Sequence, residues 1–256
     1  MELETFKEKL KNKEENLFAS MDDPLSENVY SFDISSDINF ADVNTMFTKD
    51  HKTVSWIRSF KKNSVFFDIG AGVGINSIFA GIHSKVKVYS FEPEASNYNS
   101  LVKNIFINKS NENVFPYNIA LNDETKFAKL YLSQFKSGSS NHMFDESVDS
   151  SLNPANFPYY QHGFSLTIDE LVENFDFPVP NYIKIDVDGL ENKIIKGSKN
   201  ILKEESLLSL QVKTNQNVSI NKKMIEFIKK YNFEILEMNE LNENHSDNIV
   251  FIRKKT

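Results

Sequence analysis

Three glycines within five residues, Gly70, Gly72 and Gly74, follow an acid at Asp68 and stand between an apolar run, Val65-Phe66-Phe67, and a helical stretch opening near Ile75-Asn76. Glycine reaches positive φ without steric cost and has no Cβ to hold a ligand away. Such a turn between a strand and a helix lets the backbone approach a nucleoside-bearing ligand. A second apolar run, Val86, Val88, Tyr89 and Phe91, ends at Glu92-Pro93. A carboxylate there can accept two hydrogen bonds from vicinal ribose hydroxyls. A dinucleotide would use the same two parts, so an NAD-dependent oxidoreductase is the rival reading. Two details weigh against it: the spacing is Gly-x-Gly-x-Gly, without the final two-residue gap of the dinucleotide fingerprint, and Asp68 beside the turn is expected to repel a pyrophosphate. The same acid suits a ligand bearing a cationic ammonium and sulfonium. The bland alternative is a set of tight-turn glycines in an α/β protein that binds nothing, and a non-catalytic binding protein of the same fold is a further rival.

A second chemical cluster lies in Tyr182-Ile183-Lys184-Ile185-Asp186-Val187-Asp188-Gly189-Leu190-Glu191. The carboxyl ends of strands line the ligand crevice of open α/β sheets, so Asp186 is expected to face the cleft of the glycine turn. It is the first candidate general base. His142 and His162 are second candidates, because imidazole titrates near neutrality; either is otherwise a solvated loop residue. Asp186, Asp188 and Glu191 also form an oxygen ligand set of the kind Mg²⁺ takes. Asp188 and Glu191 alternatively do no more than favour a helix N-terminus.

These residues need a framework of alternating strands and helices. A helix is expected around Val54, Trp56, Ile57 and Phe60, then strand, helix and strand through Phe91, then a helix carrying Tyr98, Leu101, Val102, Ile105 and Phe106. A third strand is expected near Val114 to Ile119. After a break, strands at Tyr182 to Val187 and Leu207 to Val212 alternate with helices at Leu190 to Leu202 and Lys222 to Tyr231, and Phe233 to Leu236 and Asn248 to Ile252 close the series. This order implies a mostly parallel sheet with helices on both faces. Residues 133–163 have neither helical nor strand periodicity and read as a lid-like insertion with Phe157, Tyr159 and Tyr160 to pack with. Residues 3–20 read as a surface helix within an N-terminal extension, 1–53, ahead of one domain spanning 54–256.

With 29 basic and 36 acidic side chains the formal charge is -7, the wrong sign for neutralising many phosphates, so nucleic acid is a poor partner. No segment approaches the ~18 apolar residues of a membrane span, and the start lacks a basic region followed by an apolar core, which predicts a cytoplasmic protein. The absence of cysteine removes thiolate chemistry, disulfides and Cys-based zinc sites.

Taken together, Asp68-Ile69-Gly70-Ala71-Gly72-Val73-Gly74, Phe91-Glu92-Pro93, Asn118-Ile119-Ala120-Leu121, Leu166-Thr167-Ile168-Asp169-Glu170-Leu171 and Ile183 to Glu191 resemble FkbM-type methyltransferases. The resemblance covers roughly Trp56 to Leu202. It implies a class I methyltransferase, a Rossmann-like three-layer sandwich around a seven-stranded, mostly parallel sheet with an antiparallel closing strand. It further implies S-adenosylmethionine as cofactor and O-methylation of a hydroxyl on a sugar, glycolipid, polysaccharide or natural product. Carried over by motif, Asp68, Gly70, Ala71, Gly72, Gly74, Asn76, Glu92, Pro93 and Asp186 would hold the cofactor, with Asn118 and Ala120 near its adenine. Two departures stand out. Asp188 replaces a frequent Glu, and Gln211, followed by Lys213, stands where the fifth strand often ends in Glu.

Overall fold

The computed structural model describes residues 17–214, 219–236 and 247–254. A sheet of seven strands organises it: β3 (Val65–Ile69), β4 (Lys87–Phe91), β5 (Val114–Tyr117), β10 (Tyr182–Ile185), β11 (Ser209–Thr214), β12 (Phe233–Ile235) and β13 (Asp247–Arg253). Their spatial order is β12-β13-β11-β10-β3-β4-β5. The inner strands run parallel, while β13 is antiparallel to both β11 and β12. The chain starts at β3 in the middle of the sheet, works outward to β5, then returns to β10 on the other side of β3. That reversal opens a crevice beyond the carboxyl ends of β3 and β10.

Helices cover both faces. On one side α1 (Asp37–Asn44), α2 (His51–Arg58), α3 (Ile75–Phe79), which continues as a wider turn through Ala80–Ser84, and α4 (Ala95–Ile107) pack Val43, Trp56, Ile57, Ile78 and Leu101 against Phe66, Val88 and Tyr182. On the other, α5 (Ile168–Asn174), α6 (Glu191–Lys196) and α7 (Ser219–Lys229) bury Ile168, Leu171, Ile194, Met224 and Ile228 on Phe67, Ile69, Ile183 and Val212. Phe66 and Phe67, adjacent in sequence, thus feed opposite cores, as strand alternation requires.

Residues 3–16 of the expected N-terminal helix lie outside the described residues. Phe18 instead begins a hairpin of β1 (Phe18–Asp22) and β2 (Val29–Asp33). Tyr30 and Phe32 of β2 and Val43 of α1 belong to the same core as Trp56 and Phe66, so this part of the extension is packed into the domain. The helix expected over Leu190 to Leu202 stops at Lys196, because Gly197 lies against the Asn122 carbonyl and Thr167, leaving no room for a side chain there.

The aperiodic stretch 133–163 carries more structure than its sequence pattern. A four-stranded sheet of order β6-β9-β7-β8 joins β6 (Ala120–Leu121), β7 (Lys126–Leu132), β8 (Met143–Phe144) and β9 (Tyr159–Leu166). Pairing with β7 along seven positions makes a strand of Tyr159–Leu166, whose outward-facing aromatics hide the expected apolar-polar alternation. Among the described residues no helix is long and apolar enough to cross a membrane.

Candidate functional site

A cleft of about 710 Å³ opens at the carboxyl ends of β3, β4 and β10. This lies within the size range of cofactor and small-ligand sites. Gly70, Ala71, Gly72, Asn76, Glu92, Pro93, Ala120, His142, Asp186 and Asp188 all line it, so most of the residues singled out in the sequence converge there.

The glycine turn is built for two purposes. Gly70 (φ +73°) sits against the backbone of Asp186, whose carbonyl would overlap any Cβ placed on it. This close approach lets Ile69 accept a hydrogen bond from the Asp186 N–H (3.0 Å), binding the end of β3 to the end of β10. Gly72 (φ +57°) faces open space, with nothing within 4 Å of a Cβ position. Gly74 does not line the cleft: it caps α3 at φ +87° and makes room for Leu101, a packing role.

Glu92 is held by the turn it faces. Its Oε2 accepts from the Gly72 N–H (2.8 Å) and its Oε1 from the Glu94 N–H (2.9 Å). Each oxygen retains a further acceptor position. Burial pushes this carboxyl up to about 7, although those two amides pull the other way. Asn118 does not line the cleft; its Nδ2 donates to the carbonyls of Glu92 (2.8 Å) and Pro93 (3.1 Å), fixing the acid's backbone.

Asp68 is corrected outright. Strand register sets Ser90, Asp68, Lys184 and Gln211 side by side on one face of the sheet, and Asp68 is fully buried beneath the cleft. Ser90 and Ser77 share a hydrogen bond between hydroxyls (2.8 Å), and Ser77 donates to Asp68 Oδ2 (2.6 Å). Lys184 Nζ lies 3.4 Å from Asp68 Oδ1. An acid neutralised inside the sheet repels no pyrophosphate, so that argument against a dinucleotide falls away. A lysine in an otherwise apolar strand was the sequence signal for this pairing, since a buried ammonium needs a counter-ion.

The charged row continues upward into the cleft. Lys184 Nζ is 3.6 Å from Asp186 Oδ2, and Lys213 Nζ is 2.9 Å from Asp186 Oδ1 and 2.8 Å from Asp188 Oδ1. Asp188 Oδ2 accepts from the Asn141 N–H (2.6 Å), joining this row to the β7–β8 loop. Burial works to raise the Asp186 carboxyl, but Lys184 and Lys213 overcome it and hold the group below the usual carboxylate range. Lys213 is also driven down by burial and more than restored by Asp186 and Asp188, so it stays protonated. Asp186 is therefore an ionised acceptor with weak affinity for a proton.

The oxygen set read as a metal site does not fit one. The cation between Asp186 and Asp188 is Lys213, and Glu191, outside the cleft lining, spends its Oε1 on the N–H groups of Val187 and Gly189 (both 3.2 Å). Among the described residues no cluster of three His, Asp or Glu groups is arranged to hold a metal ion.

The two histidines separate. His162 lies exposed on β9, opposite Lys129 and away from the cleft lining. His142 lines the cleft, and its Nδ1 accepts from the Ser133 N–H (3.3 Å). In neutral imidazole that puts the proton on Nε2, which is buried without a partner. Burial holds His142 below its ordinary value against the pull of Glu94 and Asp188, which favours the neutral ring.

Sequence reasoning missed the cleft's other walls. Thr45, Met46, Lys49 and Asp50, between α1 and α2, and His51 and Lys52 at the start of α2 also line it. The loop Ser137 to Ser140 forms another side. Asn97 clamps it twice, donating to the Ser139 carbonyl (3.0 Å) and accepting from the Gly138 N–H (2.7 Å). Ser36 at the start of α1 donates to the Ser137 carbonyl (2.7 Å). Neither wall carries a motif. Gln211 is buried under α2, accepting from the Thr53 hydroxyl (3.0 Å), and it is Lys213, two residues along the same strand face, that reaches the cleft.

The strand order, the glycine turn at the end of β3 and the acid at the end of β4 define a class I methyltransferase fold. Within that class the chain belongs to the FkbM methyltransferase family, whose domain model, described as methyltransferase FkbM domain, matches residues 68–235. Among characterised relatives, the hexuronic acid methyltransferase AglP of Haloferax volcanii is 22% identical over 152 residues, 59% of this chain and 57% of AglP. The match thus spans little more than half the length of that relative. Solved structures that match in part include precorrin-6y C5,15-methyltransferase of Geobacter metallireducens, with a TM-score of 0.46 and 14% identity over 80% of this chain and 87% of that one. Another is P. horikoshii TYW2, with a TM-score of 0.45 and 14% identity over 93% of this chain and 70% of that one.

Proposed function

We propose that this chain is an S-adenosylmethionine-dependent O-methyltransferase whose acceptor is a sugar hydroxyl. The observation that carries the reading is the opposition, across one cleft, of the open Gly72–Glu92 corner and the ionised Asp186. Family membership and the activity printed for the AglP relative support it. The residues fit the cofactor: Gly72 leaves space for a nucleoside, Glu92 has acceptor positions for two ribose hydroxyls, and Phe91, Ile119 and Leu121 offer apolar lining. When bound, S-adenosylmethionine supplies an electrophilic methyl group on a sulfonium.

The chain's own task is to align the acceptor and take one proton. Asp186 accepts the hydrogen bond of the acceptor hydroxyl and so directs its lone pair. As the new C–O bond forms, the hydroxyl proton becomes strongly acidic, and even a carboxylate of weak basicity takes it onto an Asp186 oxygen. Lys184 and Lys213 keep that carboxylate ionised and in place beforehand. His142, as an Nε2–H donor, orients a ligand oxygen rather than acting as base. Asp42, Lys49, Asp50 and His51 line the same cleft and serve as the acceptor side.

The test is Asp186→Asn, assayed for methyl transfer to a panel of uronic acid and neutral sugars, with cofactor binding measured by calorimetry. A loss of ~10²- to 10⁴-fold in turnover with cofactor binding retained is expected for a base in this position. Unchanged turnover removes Asp186 from the mechanism. Binding of NAD at micromolar concentration without binding of S-adenosylmethionine overturns the whole reading.

A further inference from the structure

The smaller sheet has an inside and an outside, and the outside is unusual. On its inner face Leu130 and Leu132 of β7 pack with Phe144 and Ala120, and Leu130 and Phe144 reach the cleft. An antiparallel sheet with one solvated face ordinarily shows polar residues there. Here the outward positions are the directly opposed pairs Phe127 with Phe164, Lys129 with His162, and Tyr131 with Tyr160. Phe127 is 83% exposed and Tyr160 56%.

The rings meet in three separate pairs, and Phe164 is half-buried against the main core. Phe127 and Phe164 lie with centroids 4.9 Å apart, Tyr160 meets the His162 ring edge to face at 5.7 Å, and Tyr131 is 5.8 Å from Phe157. Lys129 Nζ rests 4.2 Å from the centre of the Tyr160 ring. Phe127 and Tyr160, exposed on either side of Lys129 and His162, offer two ring faces to a ligand. The charge of this face is equally telling: in a chain of net charge -7, these six positions hold one ammonium, one imidazole and no carboxylate.

We propose that the outer face of β7 and β9 binds an acidic oligosaccharide chain, with pyranose rings on Tyr160 and Phe127 and carboxylates at Lys129 and His162. The proposal rests on the saccharide acceptor argued above and adds a second contact to the same polymer, on the outside of the sheet whose inside walls the cleft. Aromatic faces carry negative quadrupole density that attracts the C–H groups of a sugar ring, and the Tyr hydroxyls, ammonium and imidazole supply the polar contacts a saccharide needs. A second copy of this chain is the poorer occupant. Two such faces related by a two-fold axis along the line of the central pair would bring Lys129 against its own symmetry mate, and an axis parallel to the strands would set Lys129 against the other copy's His162.

Calorimetry and backbone amide shifts of the full chain test this with two probes, trigalacturonate and the neutral maltotriose. Trigalacturonate is expected to shift amides within 126–132 and 159–166. Tyr160→Ala should weaken it by ~10-fold through loss of its main stacking surface. Lys129→Gln should weaken it by roughly 5-fold and erase the preference over maltotriose. Both side chains project into solvent, and circular dichroism of each variant checks the fold. Shifts confined to the cleft, or affinities indifferent to both substitutions, overturn the proposal. Self-association on sedimentation that Phe127→Ser abolishes overturns it in favour of a second copy. Neither probe needs the methyl donor, so a failure to bind S-adenosylmethionine would strike the proposed reaction and be read separately from the saccharide result.

Discussion

Gly70 and Gly72 stand two residues apart in one turn, and the structure assigns them different work that alanine substitutions can separate. Both have positive φ, +73° and +57°. Placing an L side chain there costs about 1–2 kcal/mol at either position. For Gly72→Ala little else is added, because the new methyl meets nothing within 4 Å. For Gly70→Ala the methyl would overlap the Asp186 carbonyl oxygen and come within 2.9 Å of its carbon and 3.1 Å of Val187 Cγ1. Backbone on both sides must give way, at about 1–3 kcal/mol for an overpacked contact. Gly70→Ala should therefore lose about 2–5 kcal/mol in all, against about 1–2 kcal/mol for Gly72→Ala. Urea unfolding followed by circular dichroism measures the difference. Ligand binding should rank the opposite way for its cause: Gly72→Ala keeps the fold but fills the corner beside Glu92, so calorimetric affinity for S-adenosylmethionine should fall by at least ~10-fold, or about 1.4 kcal/mol. Equal stability losses in the two variants would refute the assigned close approach of β3 to β10. Wild-type cofactor affinity in Gly72→Ala would refute the placement of the nucleoside at this corner.

Glu92 and Glu191 each have a carboxyl raised by burial to about 7, from an ordinary 4.5. A group that binds its proton more tightly when folded gives stability that is fully present below pH 4.5 and is lost as pH rises through 7, about 3 kcal/mol for each acid. His83 and His142, lowered by burial, work the other way over the same range, so the test is differential: between pH 5 and pH 8 the urea stability of Glu92→Gln should fall less, or rise more, than that of the wild type, and an unchanged pH dependence contradicts the burial argument. If ribose hydroxyls bind Glu92, they favour its ionised form, so calorimetry near pH 7 in buffers of different ionisation enthalpy should detect proton release on cofactor binding. Asn97→Ala deletes both hydrogen bonds that clamp Gly138 and Ser139, and should cost about 1–3 kcal/mol. Hydrogen exchange at Gly138 should accelerate well before global unfolding; unchanged protection would show that Ser36, together with Asn39, whose Nδ2 donates to the Ser137 hydroxyl (3.1 Å), suffices to hold the loop.

Much of the sheet was legible because its strands are buried on both faces and read as apolar runs, as at Val65 to Phe67 and Tyr182 to Ile185. Glu92 and Asp186 were legible because strand ends at the point of chain reversal must face the crevice. Asp68 was not. Whether an acid at a strand's end points into a cleft or into the sheet depends on register with its neighbours, and the partners that neutralise it, Ser77, Ser90 and Lys184, come from three other elements. The walls were illegible for a related reason. Asn97, Ser36 and Thr45 to Lys52 owe their places to packing between distant segments, and nothing in their local spacing announces it. The strand Tyr159–Leu166 escaped because aromatic residues occupy the side where polar ones were expected.

The buried row from Ser90 through Asp68 and Lys184 to Asp186 has a mechanical consequence. It ties β4, β3, β10 and, through Lys213, β11 into one cross-braced floor. Sliding any of those strands would strand a charge in a low-dielectric interior, so that floor has little freedom to reorganise between empty and loaded states. Accommodation of differently shaped acceptors is then left to the walls outside this charged row, the turn between α1 and α2, anchored by Met46 and Phe47, and the Ser137 to Ser140 loop, clamped by Asn97. A chain built this way can exchange its acceptor by altering those walls while the foundation that aligns the methyl donor stays untouched.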